Sequence, residues 1–236
     1  MCYIVRVAPD KEPGRSRSYH QYCGVARALD VVGERWTLLI IRDLLLGPRR
    51  YKDLLEGLPG IGTNLLVDRL RELEKRGIIR RTVLPPPAGS TVYELTELGS
   101  ALGPAVFELG RWGARMLGVP KQDDQVPTAA VFVAMRVMFR PEQAGGVNEG
   151  YELHVDGHVF EVRVEDGRVV TREGFAHSPS ATFTLDGRTL LALLREGLEP
   201  RKALAAGRVQ VEGKTDTLER FVSFFAKMPE AAGSPA

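Results

Sequence analysis

The sequence predicts an α+β protein: a winged helix-turn-helix domain followed by an antiparallel sheet covered by helices. Residues 51–93 read as a short helix, a glycine turn, a longer amphipathic helix and two short strands around a hairpin. A polar segment bounded by prolines at 119–127 has the composition of a domain boundary. Beyond residue 151, apolar and polar residues alternate between Asp-Gly turns, which is the pattern of β-hairpins.

The longer amphipathic helix is the second helix of the helix-turn-helix. Leu66, Leu70 and Leu73 are spaced so that they form one inward stripe. Its outward positions are all polar: Thr63, Asn64, Asp68, Arg71 and Lys75. Gly77 ends the helix, and a strand from Ile78 to Val83 opens the wing. This layout delivers a helix into the DNA major groove. The alternative interpretation is a solvated helix in a small α+β domain. The wing and the flanking basic residues favour DNA binding over this alternative.

Two further helices are predicted in the first domain. One spans Glu34 to Leu46 and is stopped by Gly47-Pro48. The other begins at Leu95, is capped by Thr96 and continues to Met116, with Pro104 either bending it or lying in its first turn. The second helix is apolar enough either to close its own core or to pair with a second subunit.

The second domain begins with an apolar run, residues 128–139, that is ambiguous between strand and helix. Strands are predicted at 151–155, 158–164, 168–172, 181–185 and 208–213, and helices at 189–195, 199–206 and 216–228. The predicted organisation is therefore an N-terminal arm (1–21), the winged helix-turn-helix domain (22–118), a linker (119–127), the sheet domain (128–228) and a C-terminal tail (229–236). An antiparallel sheet with helices on one side is an α+β layer fold.

Composition and charge restrict the function classes. The 236 residues carry a net charge of only +2, but residues 1–120 hold 18 Lys+Arg against 13 Asp+Glu, whereas the rest holds 14 against 17. The cationic first half suits contact with phosphates. The sequence has two cysteines, no apolar run of the roughly 18 to 20 residues that span a membrane, and no signal-peptide pattern. We therefore expect a cytoplasmic protein without a membrane partner.

Catalytic motifs were not found in the sequence. The four histidines lack metal-ligand spacing, and His154 and His158 are separated by a hairpin turn. The segment from Gly60 to Leu65 lacks the third glycine and the βαβ context of a dinucleotide site. With neither a G-x-S-x-G nor a Walker A sequence, we expect neither an enzyme nor a bound cofactor.

The first half of the sequence resembles a known family. The segments CGVARALDVVGERWTLLIIRDLL, RLRELEKRGII and YELTELG occur in the order found in the HxlR-type winged-helix regulators, over about residues 22–117. The resemblance implies a dimeric, DNA-binding transcription factor that responds to a metabolite or a redox signal. The sequence departs from the pattern at Gly62, where a serine-like cap is usual, and at the wing tip, which has no Lys or Arg.

On the second helix of the helix-turn-helix, we expect Thr63, Asn64 and Arg69 to contact base edges or adjacent phosphates. Arg71 is expected to contact phosphate or neighbouring protein. Backbone phosphates are expected to be bound by Arg49, Arg50, Lys52, Arg80 and Arg81. Cys23 is a redox candidate, because Arg27 and a helix start lie close in sequence and favour a thiolate. The alternative for Cys23 is a small buried residue at a dimer seam.

The second half resembles the sterol-carrier-protein type of lipid-binding domain, through YELHVDGHVFEVRVEDGRV, a TLLALL helix, GRVQVEG and a closing LERFVSFF. The resemblance implies an apolar tunnel for an acyl chain, a lipid or another apolar small molecule, with Arg163, Arg172 and His177 near a head group. The predicted lining residues are Phe160, Phe183, Leu190, Leu194, Phe221 and Phe225, with Leu198 and Leu204 also candidates. These residues would equally form a filled core, and a lipid carrier or scaffold that no longer reads DNA is the rival function.

Overall fold

The computed structural model describes residues 18–85, 89–117 and 124–225. Most of the predicted N-terminal arm, the wing tip at 86–88, residues 118–123 around the predicted linker, and the chain from 226 onward lie outside the described residues. The first domain contains α1 (Gly24–Val32), α2 (Thr37–Leu44), α3 (Tyr51–Gly57), α4 (Thr63–Lys75), β1 (Ile79–Val83), β2 (Thr91–Leu95), α5 (Glu97–Ser100) and α6 (Gly103–Ala114). The winged helix-turn-helix and the α+β fold class are confirmed.

Helix α4 is held by the stripe that the sequence predicts. Leu66, Leu70 and Leu73 are all buried, and they pack with α2 and α3 in the core of the first domain. The hydroxyl of Tyr51 donates a hydrogen bond to the Thr63 carbonyl oxygen (3.1 Å), which fixes the start of α4 against α3. Gly62 is the N-cap residue, with extended backbone angles that any residue adopts. The two helices therefore form one rigid unit.

Two predicted helices of the first domain differ from their predicted bounds: one is shorter and the other is divided. The helix predicted from Glu34 begins only at Thr37, because Trp36 has left-handed backbone angles (φ 78°), and α1 lies before this break. The helix predicted from Leu95 becomes α5 and α6. Thr96 does cap α5, since its hydroxyl oxygen accepts from the Gly99 N–H at 3.1 Å. Pro104 lies in the first turn of α6, where its missing N–H costs little.

The second domain is a five-stranded sheet with helices packed on one face. Its elements are α7 (Thr128–Met138), β3 (Asn148–Val155), β4 (His158–Glu165), β5 (Arg168–Glu173), β6 (Ala181–Leu185), α8 (Gly187–Leu191), α9 (Pro200–Ala205), β7 (Val209–Gly213) and α10 (Asp216–Ser223). The strand order is β5-β4-β3-β6-β7. The ambiguous run after residue 128 is the helix α7, and Ala192–Glu196 prolongs α8 as a π-helical turn.

The sheet is mixed and not purely antiparallel as the sequence predicts. Strands β3 and β6 pair in parallel, with Leu153 opposite Phe183, whereas the other three pairs are antiparallel. The hairpins β3-β4 and β4-β5 extend the sheet in one direction, and the chain then crosses back so that β6 pairs with the other side of β3. Alternation along a strand predicts which face is buried but carries no information on this direction.

The two domains share a packed boundary. Helix α7 lies against α6 at Gly110, where a Cβ atom would lie 3.7 Å from Val137 and 3.9 Å from Val133. Leu46, from the segment after α2, is buried in the core of the second domain. Across residues 18–85, 89–117 and 124–225, no helix has the length and apolar character needed to cross a membrane.

Gly99 is the position in the first domain where close approach most clearly requires glycine. A Cβ atom there would overlap the Ile78 carbonyl oxygen, which already accepts from the Thr96 N–H at 3.0 Å. We expect Gly99→Ala to lower the free energy of unfolding of the first domain by about 3 kcal/mol or more, because backbone must move. Urea unfolding followed by Trp36 and Trp112 fluorescence measures this change.

Gly62→Ser is the matched control for Gly99→Ala, because nothing lies within 4 Å of a Cβ at residue 62. A serine N-cap there is expected to be neutral or to stabilise by a few tenths of a kcal/mol, about the usual difference between serine and glycine. Equal unfolding midpoints for wild type and Gly99→Ala would contradict the close packing of α5 on Ile78.

Candidate nucleic-acid interface

Helix α4 exposes a polar face opposite its buried leucines. Asn64, Asp68, Arg71 and Lys75 are spaced at i, i+4, i+7 and i+11 and are all exposed. Within the described ranges, Arg71 and Lys75 form no ion pair. Thr63 and Asn64 lie at the helix N-terminus, where free backbone N–H groups favour anions. This face therefore carries hydrogen-bonding groups at its N-terminal end and uncompensated cations further along.

Arg69 does not share the exposed face, contrary to the prediction that it meets base edges. Its Nη2 donates to the Glu34 carboxylate at 3.0 Å, and only 22% of the side chain is exposed. Its Nε is buried and lacks a hydrogen-bond partner among the described residues. Arg69 precedes Arg71 by two positions, about 200° around the helix, so the two side chains lie on different sides. Arg71, and not Arg69, therefore lies on the exposed face of α4.

The basic cluster before α3 is also divided by the structure. Arg50 is exposed, and its guanidinium makes no ion pair within the part of the chain that is described. Lys52 is exposed and lies 3.5 Å from Glu56 one turn along. Arg49, in contrast, is buried and donates to the carboxylate of Glu173 in the second domain. This ion pair removes Arg49 from the predicted phosphate contacts.

The wing presents its two predicted cations at its base. Strands β1 and β2 are antiparallel, with Arg80 opposite Glu94 and Arg81 opposite Tyr93. Arg80 donates to Glu94 at 2.7 Å and Arg81 to Glu74 at 3.0 Å, but both arginines remain more than half exposed. Exposed ion pairs contribute little free energy, so either arginine can exchange its carboxylate for a phosphate.

Cys23 is exposed and occupies the N-cap position of α1. Hydrogen bonds from the backbone amides of Ala26 and Val25 lower the pKa of its thiol from the ordinary value. The predicted charge partner, Arg27, pairs with Asp30 at 3.8 Å. The helix N-terminus, and not Arg27, is therefore the physical cause that favours the thiolate here.

Helices α1 and α6 leave large apolar side chains uncovered. Val25 and Leu29 of α1, and Leu109, Trp112 and Met116 along and just beyond α6, are exposed. A set of exposed apolar side chains of this size is characteristic of a protein-protein interface. Helix α6 lies within the helix that the sequence offers for pairing with a second subunit.

The residues predicted to line a ligand tunnel form a packed core. Phe160, Phe183, Leu190, Leu194, Phe221 and Phe225 are all buried in one cluster. The Phe160 ring lies 3.9 Å from that of Phe132, and the Phe221 ring lies 5.3 Å from Phe183 and 5.2 Å from Phe225. This arrangement agrees with the filled core that the sequence left as the alternative.

The predicted head-group residues are scattered. Arg163 donates to Glu161 at 2.8 Å on the outer face of the sheet, and His177 is exposed. Of the three, Arg172 borders a groove that lies between the two domains. His154 and His158 bind separate carboxylates, Glu152 (2.8 Å) and Glu173 (3.2 Å).

Sequence reasoning missed two residues at the domain boundary. Glu173 contacts Arg49, but a glutamate at a strand end carries no signal of a partner 124 positions away. Arg136 is half-buried and lines the same interdomain cavity as Arg172. Its signal was available, because it is the one charged residue in the apolar run that forms α7.

Comparison with known proteins finds a matching family model for each half of the chain. Residues 31–120 match the family model described as HxlR-like helix-turn-helix, and residues 119–231 match the model described as Alkyl sulfatase C-terminal. The second model bears a different name from the sterol-carrier proteins that the sequence resembles, so that finer assignment is not shown. What is shown for the second domain is a sheet with helices.

Relatives in Bacillus subtilis (strain 168) align with the first half. The HTH-type transcriptional regulator YodB is 41% identical over 85 residues, which are 36% of this chain and 76% of the relative. The uncharacterized HTH-type transcriptional regulator YvaP is 34% identical over 91 residues, 39% of this chain and 84% of that protein. The solved structure of YodB in its reduced form matches 43% of this chain and 100% of its own at 35% identity, with a TM-score of 0.37.

The exposed polar face of α4, the wing behind it and the extent of the match to these relatives agree with one another. The chain belongs to the HxlR-like helix-turn-helix family of transcriptional regulators.

Proposed function

We propose that the chain binds double-stranded DNA as a homodimer and regulates transcription, with α4 in the major groove of each half-site. The observation that carries this proposal is the exposed face of α4 and its surroundings, where Arg50, Arg71 and Lys75 have no carboxylate partner among the described residues. Unpaired exposed cations beside a polar helix N-terminus suit the phosphate backbone, whose charge supplies much of the binding free energy.

The contacts divide by chemistry. Asn64 is placed to read a base edge, and its amide fits the N6 and N7 atoms of adenine. Arg71 lies two turns further along the same face, where it reaches either a guanine edge or a phosphate. Arg50 at the start of α3 and Arg80 and Arg81 at the wing base bind phosphates on either side of the groove. Arg69 acts indirectly, because its bond to Glu34 steadies α4 against the α1–α2 turn.

Homodimer formation uses the exposed apolar side chains of α1 and α6. Two copies related by a twofold axis place two α4 helices on one face of the DNA, about one helical turn or 34 Å apart. The second domain then lies outside the DNA, in agreement with the acidic balance of the chain beyond residue 120.

A second candidate function is thiol-based redox sensing by Cys23. The specific observation is its exposed N-cap position, with backbone amides directed at the sulfur. An oxidant or electrophile that modifies this thiol adds bulk directly before α1, one of the two helices proposed to pair subunits. Modification would therefore change the spacing of the two α4 helices.

The second domain is proposed to act as a regulatory domain attached to the DNA-binding domain. Its order of hairpins and helices resembles that of the sterol-carrier proteins, but its aromatic core is occupied by its own side chains. A small-molecule signal is therefore better placed at the domain boundary than inside the sheet domain. The Glu173 N–H donates to the Leu46 carbonyl oxygen, and the Glu173 carboxylate accepts from Arg49. These two bonds connect the second domain to the start of α3.

Substitution of the unpaired cations tests the DNA interface. We expect Arg50→Ala to weaken binding to a selected operator and to random duplex by the same factor. The slope of log K against log salt should fall by about 1, because one phosphate contact is lost. Asn64→Ala should cost about 1–3 kcal/mol on the operator and much less on random duplex. Fluorescence anisotropy at several salt concentrations measures both effects.

Arg201→Ala is the control for these variants, because Arg201 is an exposed arginine of the second domain that pairs with Glu219 at 2.6 Å. It should leave the affinity and the salt slope unchanged. An unaltered slope in Arg50→Ala, or an equal loss in Arg201→Ala, would show that the proposed surface is not the DNA-binding one.

Charge introduced into α6 tests the dimer. Trp112→Glu places a carboxylate among exposed apolar side chains, and we expect light scattering after gel filtration to give the single-chain mass of 26.0 kDa in place of twice that value. Phe175→Glu, at an aromatic residue that is 78% exposed in the second domain, is the control and should remain dimeric. A stable Trp112→Glu dimer would exclude this face from the interface.

Alkylation and oxidation test Cys23. In a Cys2→Ser background, the pH profile of iodoacetamide alkylation should have its midpoint below that of an unstructured cysteine peptide, because the thiolate is favoured by Ala26 and Val25. Diamide should then change operator affinity in this background and leave a Cys2→Ser/Cys23→Ser protein unaffected. A response that survives without Cys23 rules out this sensor.

A further inference from the structure

A groove between the two domains has a volume of about 670 Å³ and is lined by residues of both domains. One wall comes from the end of α2 and the start of α6, including Leu44, Leu45 and Phe107. The opposite wall is the edge strand β5, from Val170 to Glu173, together with Arg136 of α7. The groove thus combines an apolar side with a side that carries two arginines, Arg136 and Arg172.

Arg136 is the most unusual of these residues. It is half-buried, its Nε donates to the Thr171 hydroxyl at 3.2 Å, and its Nη2 approaches the Thr171 carbonyl oxygen at 3.5 Å. Its guanidinium carbon lies 5.3 Å from the centre of the Phe107 ring. Within the described residues it forms no ion pair with a carboxylate. A planar cation is therefore held in a fixed position with its charge uncompensated.

The remaining charges of the groove increase this imbalance. Burial lowers the pKa of Arg136, and the like charge of Arg172 lowers it further. The two carboxylates on the groove wall are engaged elsewhere, since Glu94 accepts from Arg80 and Glu173 accepts from Arg49. A half-buried charge without a counterion is unfavourable, and an anion bound to Arg136 removes the penalty.

We propose that this groove binds a small amphipathic organic anion. Its carboxylate, sulfate or phosphate group binds the Arg136 guanidinium, Arg172 adds a second positive charge on the same groove wall, and a short apolar portion lies against Phe107, Leu45 and the apolar wall. The groove volume is in the range of ordinary small-molecule sites, which are mostly apolar with a few polar anchors. The site is separate from the aromatic core of the second domain, and the inference does not depend on DNA binding.

Arg136 also has a structural role, because it covers the outward carbonyl of Thr171 on an edge strand. A purely structural arginine needs no anion, and it would be equally satisfied in the presence or absence of a ligand. Binding measurements on the folded chain separate the two roles, since only the anion site predicts a ligand whose affinity follows both arginines.

Decanoate is the probe, titrated into the full chain by isothermal calorimetry, with decanol as an uncharged analogue of the same length and acetate as the bare head group. We expect saturable binding of decanoate at one site per chain, with decanol and acetate each at least tenfold weaker. Arg136→Gln should weaken decanoate binding at least tenfold and Arg172→Gln several-fold. Arg136→Lys should retain part of the affinity, because the charge remains while the fork geometry is lost.

Arg163→Gln is the matched control, since Arg163 lies on the outer face of the same sheet and is already paired with Glu161. It should bind decanoate like the wild type. If Arg136→Gln fails to fold, as judged by circular dichroism, the exposed Arg172→Gln variant decides. Equal binding by Arg172→Gln and wild type, equal affinity for decanol and decanoate, or no binding by the wild-type chain at millimolar probe would overturn the proposal.

Discussion

The joint between α2 and α3 is the constraint on which the rest of the molecule depends. Leu46 is buried in the core of the second domain, and its carbonyl oxygen accepts from the Glu173 N–H at 3.2 Å. Three positions later, Arg49 exchanges backbone hydrogen bonds with Tyr93 of the wing (2.9 and 2.7 Å) while its guanidinium binds the Glu173 carboxylate. One short segment is thus part of the sheet domain, the wing and the entry to α3. Because Arg49 is buried, breaking this pair would leave its charge to be compensated only by the neighbouring carboxylates Asp43 and Asp53, which is costly.

This joint connects the second domain to the helix-turn-helix. Helix α3 begins directly after Arg49, and α3 holds α4 through the bond from Tyr51 to Thr63. A change in the position of β5 therefore reaches α4 through backbone hydrogen bonds and packed leucines, with no flexible connection between them. A ligand acts through such a route only by the difference in its affinity for two arrangements of the domains. The interdomain groove is a favourable place for that difference, because both walls contribute to it.

The cations of the chain fall into groups that the structure separates. Arg69, Arg49 and Arg163 are bound to carboxylates and hold elements in place. Arg50 and Arg71 have no such partner within the described residues and are exposed on the first domain, where contact with a polyanion is proposed. Arg136 and Arg172 line a partly apolar groove whose two carboxylates, Glu94 and Glu173, are paired with other arginines, which suits a small anion better than a polymer. Net charge alone, at +2, would have hidden these differences.

The sequence by itself determined most of the local elements, because those depend on short-range periodicity, and the resemblance of its motifs indicated the family. The stripe of Leu66, Leu70 and Leu73, the Thr96 cap and the Asp-Gly hairpins each follow from neighbours within a few residues. Only the tertiary structure decided which charged residues are free. Arg69 is predicted to contact DNA, but Glu34, 35 positions earlier in the chain, binds its guanidinium, whereas Arg71 is exposed. The parallel pairing of β3 with β6, the filled aromatic core and the bond between Arg49 and Glu173 likewise join residues far apart in the chain. Such contacts arise from packing, and no local pattern records them.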